Sequence, residues 1–210
     1  MRRWLVAALL LSLTGCGHSG TRCPSWPEDA KRGGLTLAYS GYGTARACPG
    51  AQGWQWELSP KTATRPSVTH AALARGPARA GDIDVEVRLR TVHQLRDGPN
   101  PWEAGWLLWR YTDDRHFYYL ALKANGFELG KEDPAYPGDQ RYLVTEDKPA
   151  FDIHAWHTLR IRQQGGTISA YADGRPLTTV HDRERPYLRG DVGLYTEDAV
   201  VRFDGLRTGP

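Results

Sequence analysis

Short stretches in which apolar and polar residues alternate recur along the chain, and turn residues separate them. In DIDVEVRLR (82–90), apolar residues fall on one face of an extended strand and charged residues on the other. WHTLRIR (156–162) alternates in the same way, and VGLYT (192–196) and VVRFDGLR (200–207) read as the last strands. No long stretch repeats with the period of an amphipathic helix. The pattern therefore predicts an all-β protein.

Turn residues divide this pattern into strands and set the expected domain boundaries. TISAYADGRPLTTV (167–180) reads as two strands joined by Asp173-Gly174, a strong hairpin signal. LTLAYS and WQWEL are expected early strands, while 17–34 and 59–67 are rich in Gly, Pro and Ser. About 190 residues without an internal repeat suit one sandwich or barrel. We expect a tether over 16–34 and one β-sandwich domain over 35–210.

The first sixteen residues, MRRWLVAALLLSLTGC, have the pattern of an export signal. Two arginines precede an apolar run that is too short to span a bilayer. The segment Leu-Thr-Gly-Cys at 13–16 resembles the lipobox of bacterial lipoproteins, which implies that residues 1–15 are cleaved and Cys16 is lipidated. An ordinary secretory signal peptide is the alternative. The lipoprotein prediction places the protein in the bacterial cell envelope, outside the cytoplasm, held to the membrane by lipid alone.

The chain has three cysteines, and lipidation of Cys16 leaves an even pair. In an oxidising compartment Cys23 and Cys48 are expected to form a disulfide. On the chain-entropy model, such a bond would stabilise the fold by about 3 kcal/mol. Two free thiols are the alternative.

Charge is nearly balanced and excludes some classes of partner. The full chain carries 27 basic and 24 acidic residues, and both arginines of the signal segment are lost on cleavage. The mature chain therefore has a net charge near zero. This balance gives no reason to expect nucleic acid or anionic lipid as a partner.

The second half of the chain resembles a known fold. WHTLRIRQQGGTISAYADGRPL, followed by GDVGLYTEDAVVRFDGLRT, is similar to the closing strands of concanavalin A-like jelly rolls. WLLWRYTDDRHFYYLALKANGFELGK fits their middle strands. This group includes lectins, laminin-G-like modules, family-sixteen-type glycoside hydrolases and keto-disaccharide hydrolase-like domains. The resemblance implies a sandwich of two antiparallel sheets, but it does not choose among these functions.

Seven aromatic residues lie between Trp102 and Tyr119, and strand alternation divides them between two faces. Trp109, Tyr118 and Phe127 are predicted to face the core. The opposite faces gather a mixed aromatic and charged set that suits a polysaccharide or oligosaccharide, because rings stack on pyranoses and charged groups bind hydroxyls or carboxylates. The predicted binding residues are Glu103, Trp106, Arg110, Tyr119, Lys123 and Glu128. A solvated face with cross-strand ion pairs is the alternative.

Three carboxylates share one face of the strand at 82–90. Asp82, Asp84 and Glu86 occupy alternate positions and resemble the family-sixteen hydrolase motif Glu-x-Asp-x-Glu. The resemblance implies a nucleophile at Asp82, an acid/base at Glu86 and a tuning role for Asp84. Asp82 is one methylene shorter than the residue of the motif, which works against this chemistry. No catalytic residue is therefore assigned firmly.

Three functions remain open from the sequence. We expect a surface-anchored carbohydrate-binding domain, with a hydrolase or lyase and a structural or protein-interaction lipoprotein as alternatives. No cofactor is expected. The jelly-roll resemblance admits a calcium site, for which Asp198 and Asp204 are available, but the chain has no Asp-rich loop of EF-hand spacing.

Overall fold

The computed structural model describes residues 23–210, and in this range the regular structure is sixteen β-strands with one short 3₁₀ turn at Pro137–Asp139. One sheet has nine strands: β1 (Lys31–Arg32), β2 (Leu35–Tyr39), β5 (Ala71–Arg75), β6 (Arg79–Ala80), β8 (Gly105–Asp113), β9 (His116–Lys123), β10 (Gly126–Glu132), β11 (Gln140–Glu146) and β15 (Arg189–Glu197). The other has seven: β3 (Thr44–Gly50), β4 (Gly53–Ser59), β7 (Ile83–Gln94), β12 (His157–Gln164), β13 (Thr167–Ala172), β14 (Arg175–His181) and β16 (Ala199–Gly209).

Both sheets are antiparallel, and half of the fourteen strand pairings join strands that are not consecutive in the chain. The nine-stranded sheet runs β1-β2-β5-β15-β8-β9-β10-β11, with β6 pairing to β15. The seven-stranded sheet runs β14-β13-β12-β7-β16-β4-β3. The predicted hairpin is confirmed, since β13 and β14 pair across Asp173 and Gly174, whose φ angles are 50° and 74°. The chain thus forms the predicted jelly-roll sandwich of two antiparallel sheets.

The core lies between the two sheets and is built from alternate residues of each strand. The nine-stranded sheet contributes Trp109, Tyr118 and Phe127, as strand alternation predicted. The rings of Trp109 and Tyr118 stack with centroids 5.4 Å apart. From the seven-stranded sheet, the core receives the apolar side of β7 and β16, including Val85 and Phe203. Burial of this inner layer is the main apolar contribution to stability.

The predicted tether is wrong over residues 23–34. Trp26 is only 2% exposed, packs in the core and donates from its indole Nε1 to the Ala30 carbonyl at 2.8 Å. Cys23 and Cys48 are joined in a disulfide, with their Cα atoms 5.3 Å apart. The chain turns at Gly33 and Gly34, whose φ angles are 58° and 87°. Composition alone did not distinguish such an ordered turn from a tether.

The predicted signal peptide (1–15), the lipidation site Cys16 and the start of the tether lie outside the described residues. Within residues 23–210, no helix has the length and apolar character needed to cross a membrane. The lipid-anchor prediction therefore stays a prediction.

Candidate functional site

A second apolar layer covers the outer face of the nine-stranded sheet, opposite the core. Its members alternate with core residues along β8 and β9, as Trp106 and Tyr119 do with Trp109 and Tyr118. The Trp106 ring lies 4.8 Å from that of Tyr119 and 5.4 Å from that of Tyr195, measured between centroids. The layer consists of Leu73, Trp106, Leu108, Tyr111, Phe117, Tyr119 and Ala121, with Ala38, Tyr39 and Tyr195 packed against it.

A cleft of about 440 Å³ opens on this layer, and we call it the outer-face cleft. Two of its aromatic side chains remain accessible, since Trp102 is 43% exposed and Tyr142 is 57% exposed. It is lined by Trp102, Trp106, Asp114, Phe117, Glu128, Glu132, Gln140, Tyr142, Tyr195 and Glu197. The cleft therefore combines exposed rings, a buried aromatic floor and polar side chains.

Gly130 makes room for the Tyr119 ring in the cleft floor. Gly130 pairs with Tyr119 across β9 and β10, and a Cβ atom at Gly130 would collide with the Tyr119 ring. The Tyr119 hydroxyl can therefore reach across β10, where it donates to Glu128 Oε1 at 2.8 Å and accepts from Gln140 Nε2 at 2.9 Å. Tyr142 donates to Gln140 Oε1 at 2.7 Å. This hydrogen-bond chain fixes the side chains of β10 and β11 that line the cleft.

Glu128 and Lys123 form a cross-strand ion pair, as the alternative interpretation of this face expected, with Lys123 Nζ 3.1 Å from Glu128 Oε2. Both side chains are largely buried, and Lys123 is not among the lining residues. Lys123 therefore neutralises Glu128 without lining the cleft itself, and it does not present a free charge to a ligand.

Two further carboxylates of the cleft are held in conditions that favour their neutral forms. Burial, with the nearby charges of Asp139 and Glu197, raises the pKa of Glu132 to about 7. Burial likewise raises the pKa of Glu197, even though Glu197 accepts a 2.6 Å hydrogen bond from Tyr195. Asp114 accepts from the hydroxyls of Tyr111 at 2.7 Å and Tyr39 at 3.3 Å. The cleft is thus acidic as well as aromatic.

The prediction that Arg110 projects to this surface is wrong. Arg110 is 1% exposed and points into the sandwich, where its Nε donates to Gln163 Oε1 at 3.0 Å. Its terminal nitrogens donate to the carbonyls of Arg79 and Gly81 at 3.1 and 2.5 Å. Strand alternation fails because the β8–β9 register shifts after Trp109 and Arg110 adopts a φ of 57°. The bulge turns Arg110 to the core side, and Tyr111, which alternation placed with Trp109, joins the outer layer.

The other predicted binding residues divide between the cleft and its surroundings. Trp106 and Glu128 line the cleft, whereas Tyr119 and Lys123 are buried beside Glu128. Glu103 is buried in the loop before β8, where its Oε1 lies 2.8 Å from Arg96 Nε. Glu103 and Arg110 are therefore not brought to the cleft, and the predicted single exposed face does not form as a whole.

The carboxylate trio lies on the outer face of the opposite sheet, far from the cleft in the fold. Asp84 is 2.6 Å from Arg160 and 2.7 Å from Arg162, and hydrogen bonding to Arg160 holds its pKa below the ordinary value. Glu86 faces Arg207 at 3.6 Å. A carboxylate held between two guanidinium groups is a poor proton donor or nucleophile. The catalytic interpretation of Asp82, Asp84 and Glu86 is therefore not supported.

The two aspartates considered for calcium are engaged differently. Asp198 accepts from Arg96 at 2.5 Å and from the backbone N–H of His70 at 3.1 Å. Asp204 faces Arg88 at 3.4 Å, and one of its carboxylate oxygens is buried without a hydrogen-bond partner in the described structure. Among residues 23–210, no three His, Cys, Asp or Glu side chains cluster as metal ligands do.

Several lining residues were not predicted, although alternation already pointed to some of them. Glu132 shares a strand face with Glu128 at a spacing of four, and Glu197 follows Tyr195 at a spacing of two. By contrast, Trp102, Asp114, Gln140 and Tyr142 reach the cleft from strand ends, loops and a strand that sequence reasoning did not place. Loop side chains have no period, so only the folded chain brings them together.

Solved structures share this architecture. No protein-family model matches the sequence, and no curated protein matches it either. The carbohydrate-binding module CBM66 from Bacillus subtilis matches with a TM-score of 0.59 and 21% identity, over 88% of this chain and 100% of that one. The Bacillus licheniformis β-glucanase matches with a TM-score of 0.52 and 14% identity, over 89% of this chain and 97% of that one.

A sialidase also matches, with a TM-score of 0.52 and 10% identity, over 83% of this chain but only 17% of that one. At these identities the similarity establishes the fold alone. Together with the two-sheet topology, it shows that the chain has the concanavalin A-like jelly-roll fold, as the sequence predicted.

Proposed function

We propose that this protein is a carbohydrate-binding domain and that the outer-face cleft is its binding site. The observation that carries the proposal is the pair of accessible rings, Trp102 and Tyr142, at a cleft floored by buried aromatics on an outer sheet face. Most apolar side chains of this size are buried elsewhere in the domain. Aromatic surface left exposed beside fixed polar groups is typical of a ligand site.

The chemistry of the cleft suits a saccharide. A pyranose has apolar C–H faces that stack on rings, and hydroxyl edges that need hydrogen-bond partners. Gln140 and Tyr142 supply neutral donors and acceptors, and Glu132 and Glu197 supply strong acceptors. Two of the structural neighbours are by name a carbohydrate-binding module and a β-glucanase, which supports a glycan ligand for the same fold.

Ligand titration of a Trp102→Ala variant tests this proposal. Loss of one stacking ring should weaken saccharide binding by about 1.5–3 kcal/mol, which is about tenfold or more. The melting temperature should change little, because the Trp102 side chain is substantially exposed. Tyr42→Ala is the matched control, since Tyr42 is 84% exposed and does not line the cleft. If the Trp102 variant binds as well as the parent, the cleft is not the site.

A glycoside hydrolase is the second candidate, and one observation favours it. Glu132, with a pKa of about 7, lies in the cleft close enough to Glu197 for their charges to interact. A carboxyl group with a raised pKa beside a second carboxylate is the combination that general-acid glycoside cleavage requires. Reducing-sugar release that disappears in Glu132→Gln would establish this activity. Saccharide binding with no such release would leave the binding function alone.

The position of the domain in the cell is proposed from the sequence. We infer that the chain is a lipoprotein anchored through Cys16 and exposed outside the cytoplasm, with no nucleic-acid partner. The support is the short apolar run that ends in Leu-Thr-Gly-Cys. Replacement of Cys16 by serine should move the protein from the membrane fraction to the soluble fraction. Retention in the membrane fraction would contradict the anchor.

A further inference from the structure

The charges that face the outer-face cleft are all of one sign. Four of its ten lining residues are carboxylates, and none is Lys, Arg or His. Glu128 is compensated from behind by Lys123. The other three, Asp114, Glu132 and Glu197, form no salt bridge with any residue in 23–210. The cleft therefore presents three carboxylates without a salt-bridge partner among the described residues. For Glu197, burial raises the pKa and the charge of Arg96 opposes this shift only in part.

The basic side chains on neighbouring elements are paired with other acids. Arg96 lies 2.5 Å from Asp198 and 2.8 Å from Glu103. Arg115 makes a two-point contact with Asp139, at 2.9 and 3.1 Å. Arg110, which the sequence had placed on this surface, is buried on the core side. Within the described part of the chain, none of these three cations lines the cleft, although the charge of Arg96 reaches Glu197.

Glu132 shows the consequence most clearly. It is partly buried, and its carboxylate accepts no hydrogen bond from any residue in 23–210. Neighbouring Asp139 and Glu197 add like charge, and burial with this repulsion raises its pKa. An acceptor that is desolvated, repelled and unpartnered gains free energy when a cation binds beside it. A positively charged partner would therefore satisfy this carboxyl group in its ionised form.

We propose that the outer-face cleft selects saccharides that carry a free amino group, and that Glu132 and Glu197 bind the sugar ammonium. This inference rests on the proposed carbohydrate-binding function and adds the class of sugar. An ammonium donates three N–H groups and a charge, so it satisfies acceptors that a neutral hydroxyl binds more weakly. The stacking faces of an amino sugar are those of the neutral sugar, so the accessible rings of Trp102 and Tyr142 serve both. A uronic acid or a sulfated sugar would be repelled.

Titration with matched oligosaccharides tests the selectivity. The probes are hexamers of β-1,4-linked glucosamine and of α-1,4-linked galactosamine, each beside its fully N-acetylated counterpart, with oligogalacturonate as the anionic probe. We expect at least one amino oligomer to bind about tenfold more tightly than its acetylated form. The difference should shrink as salt is added, because exposed charge–charge attraction is screened. Oligogalacturonate should bind least.

Variants connect the selectivity to the named carboxylates. Glu132→Gln, alone and with Glu197→Gln, keeps the side-chain shape, removes the charge and should reduce the preference to less than about threefold. Glu86→Gln is the matched control on the opposite sheet and should keep the full preference. A thermal melt on each variant shows that the fold persists.

The outcomes separate the two proposals. Equal binding of amino and acetylated oligomers, or a preference that survives Glu132→Gln and the double variant, would overturn the amino-sugar inference and leave carbohydrate binding intact. Binding of none of the probes, neutral or charged, would overturn the carbohydrate-binding proposal and this inference with it.

Discussion

The two outer faces of the sandwich are built on the same strand alternation but differ in how their charges are arranged. On the seven-stranded sheet the carboxylates of β4 and β7 face arginines, as in Asp84 with Arg160 and Arg162, and Glu57 with Arg202. On the nine-stranded sheet the outer-face cleft holds carboxylates beside aromatic rings and without arginines among the lining residues. The carboxylates of the first face are neutralised by arginines of the same face. Those of the cleft have no arginine among the lining residues, which leaves them available to a ligand.

This difference supports the proposal that the binding face lies on the nine-stranded sheet. Exposed ion pairs contribute little to stability, and each charge in them already has a partner. Partly buried carboxylates that repel one another cost free energy, and such local costs are typical of functional sites. The number of charged residues on a face therefore does not indicate a binding site. Carboxylates that lack a salt-bridge partner are the better indicator.

The largest effect should come from the core side of the cleft-bearing sheet. Trp109→Ala is expected to lower the free energy of unfolding by about 3–5 kcal/mol, because a fully buried ring that stacks on Tyr118 leaves a cavity. Denaturant unfolding measures this, with Trp102→Ala as the exposed control. A loss of less than about 1 kcal/mol for Trp109→Ala would mean that Trp109 does not face the core and that the two faces of this sheet are assigned the wrong way round.

Arg110→Ala should also act on stability and not on the binding surface. Three acceptors, on Gln163, Arg79 and Gly81, lose their donor inside the sandwich, so we expect a loss of about 2–4 kcal/mol. Arg115→Ala is the matched control, because Arg115 is an exposed arginine on the same hairpin and should cost under about 1 kcal/mol. A folded, stable Arg110→Ala protein with impaired saccharide binding would restore the original sequence-based assignment.

The acidic cleft should give stability an unusual pH dependence. A carboxyl group whose pKa rises from 4.5 to about 7 on folding binds its proton more tightly in the folded state. Its stabilising contribution is therefore complete at low pH and is lost as pH rises from about 4.5 to 7. Between pH 5 and pH 8, Glu132→Gln should gain about 1–2 kcal/mol relative to the parent, after allowance for solvent screening. Melting curves of the parent and the variant, recorded side by side across this range, measure the difference. If Glu132 were paired with a cation, the variant would instead lose stability relative to the parent as the pH rises.

The smallest effect is expected on the compensated face. Asp84→Asn removes the charge between Arg160 and Arg162 and should cost about 1 kcal/mol or less near neutral pH. Because hydrogen bonding to Arg160 lowers the pKa of Asp84, this contribution is present at neutral pH and disappears on acidification. Saccharide binding should stay unchanged. A loss of binding in Asp84→Asn would show that the ligand uses the opposite sheet.

Strand alternation predicted most of the fold and part of the site. It placed Trp109, Tyr118 and Phe127 in the core and Trp106 on the opposite face, and it located the Asp173-Gly174 hairpin. These assignments hold because each depends on neighbours one or two residues away. The same rule failed at Arg110, where a bulge adds a residue and reverses the faces that follow.

What the sequence by itself determined is the all-β class, the strand periods and the jelly-roll resemblance, since local backbone geometry and turn chemistry fix them. Which carboxylates find arginines was decided only by the tertiary structure. Asp84 is 76 positions from Arg160 in the chain, and they meet because β7 and β12 are adjacent in the sheet. Glu132 and Glu197 line one cleft although β8 and β9 separate their strands, β10 and β15, in the sheet. Charge compensation depends on distances of a few ångströms between strands, and no periodicity along the chain encodes those distances.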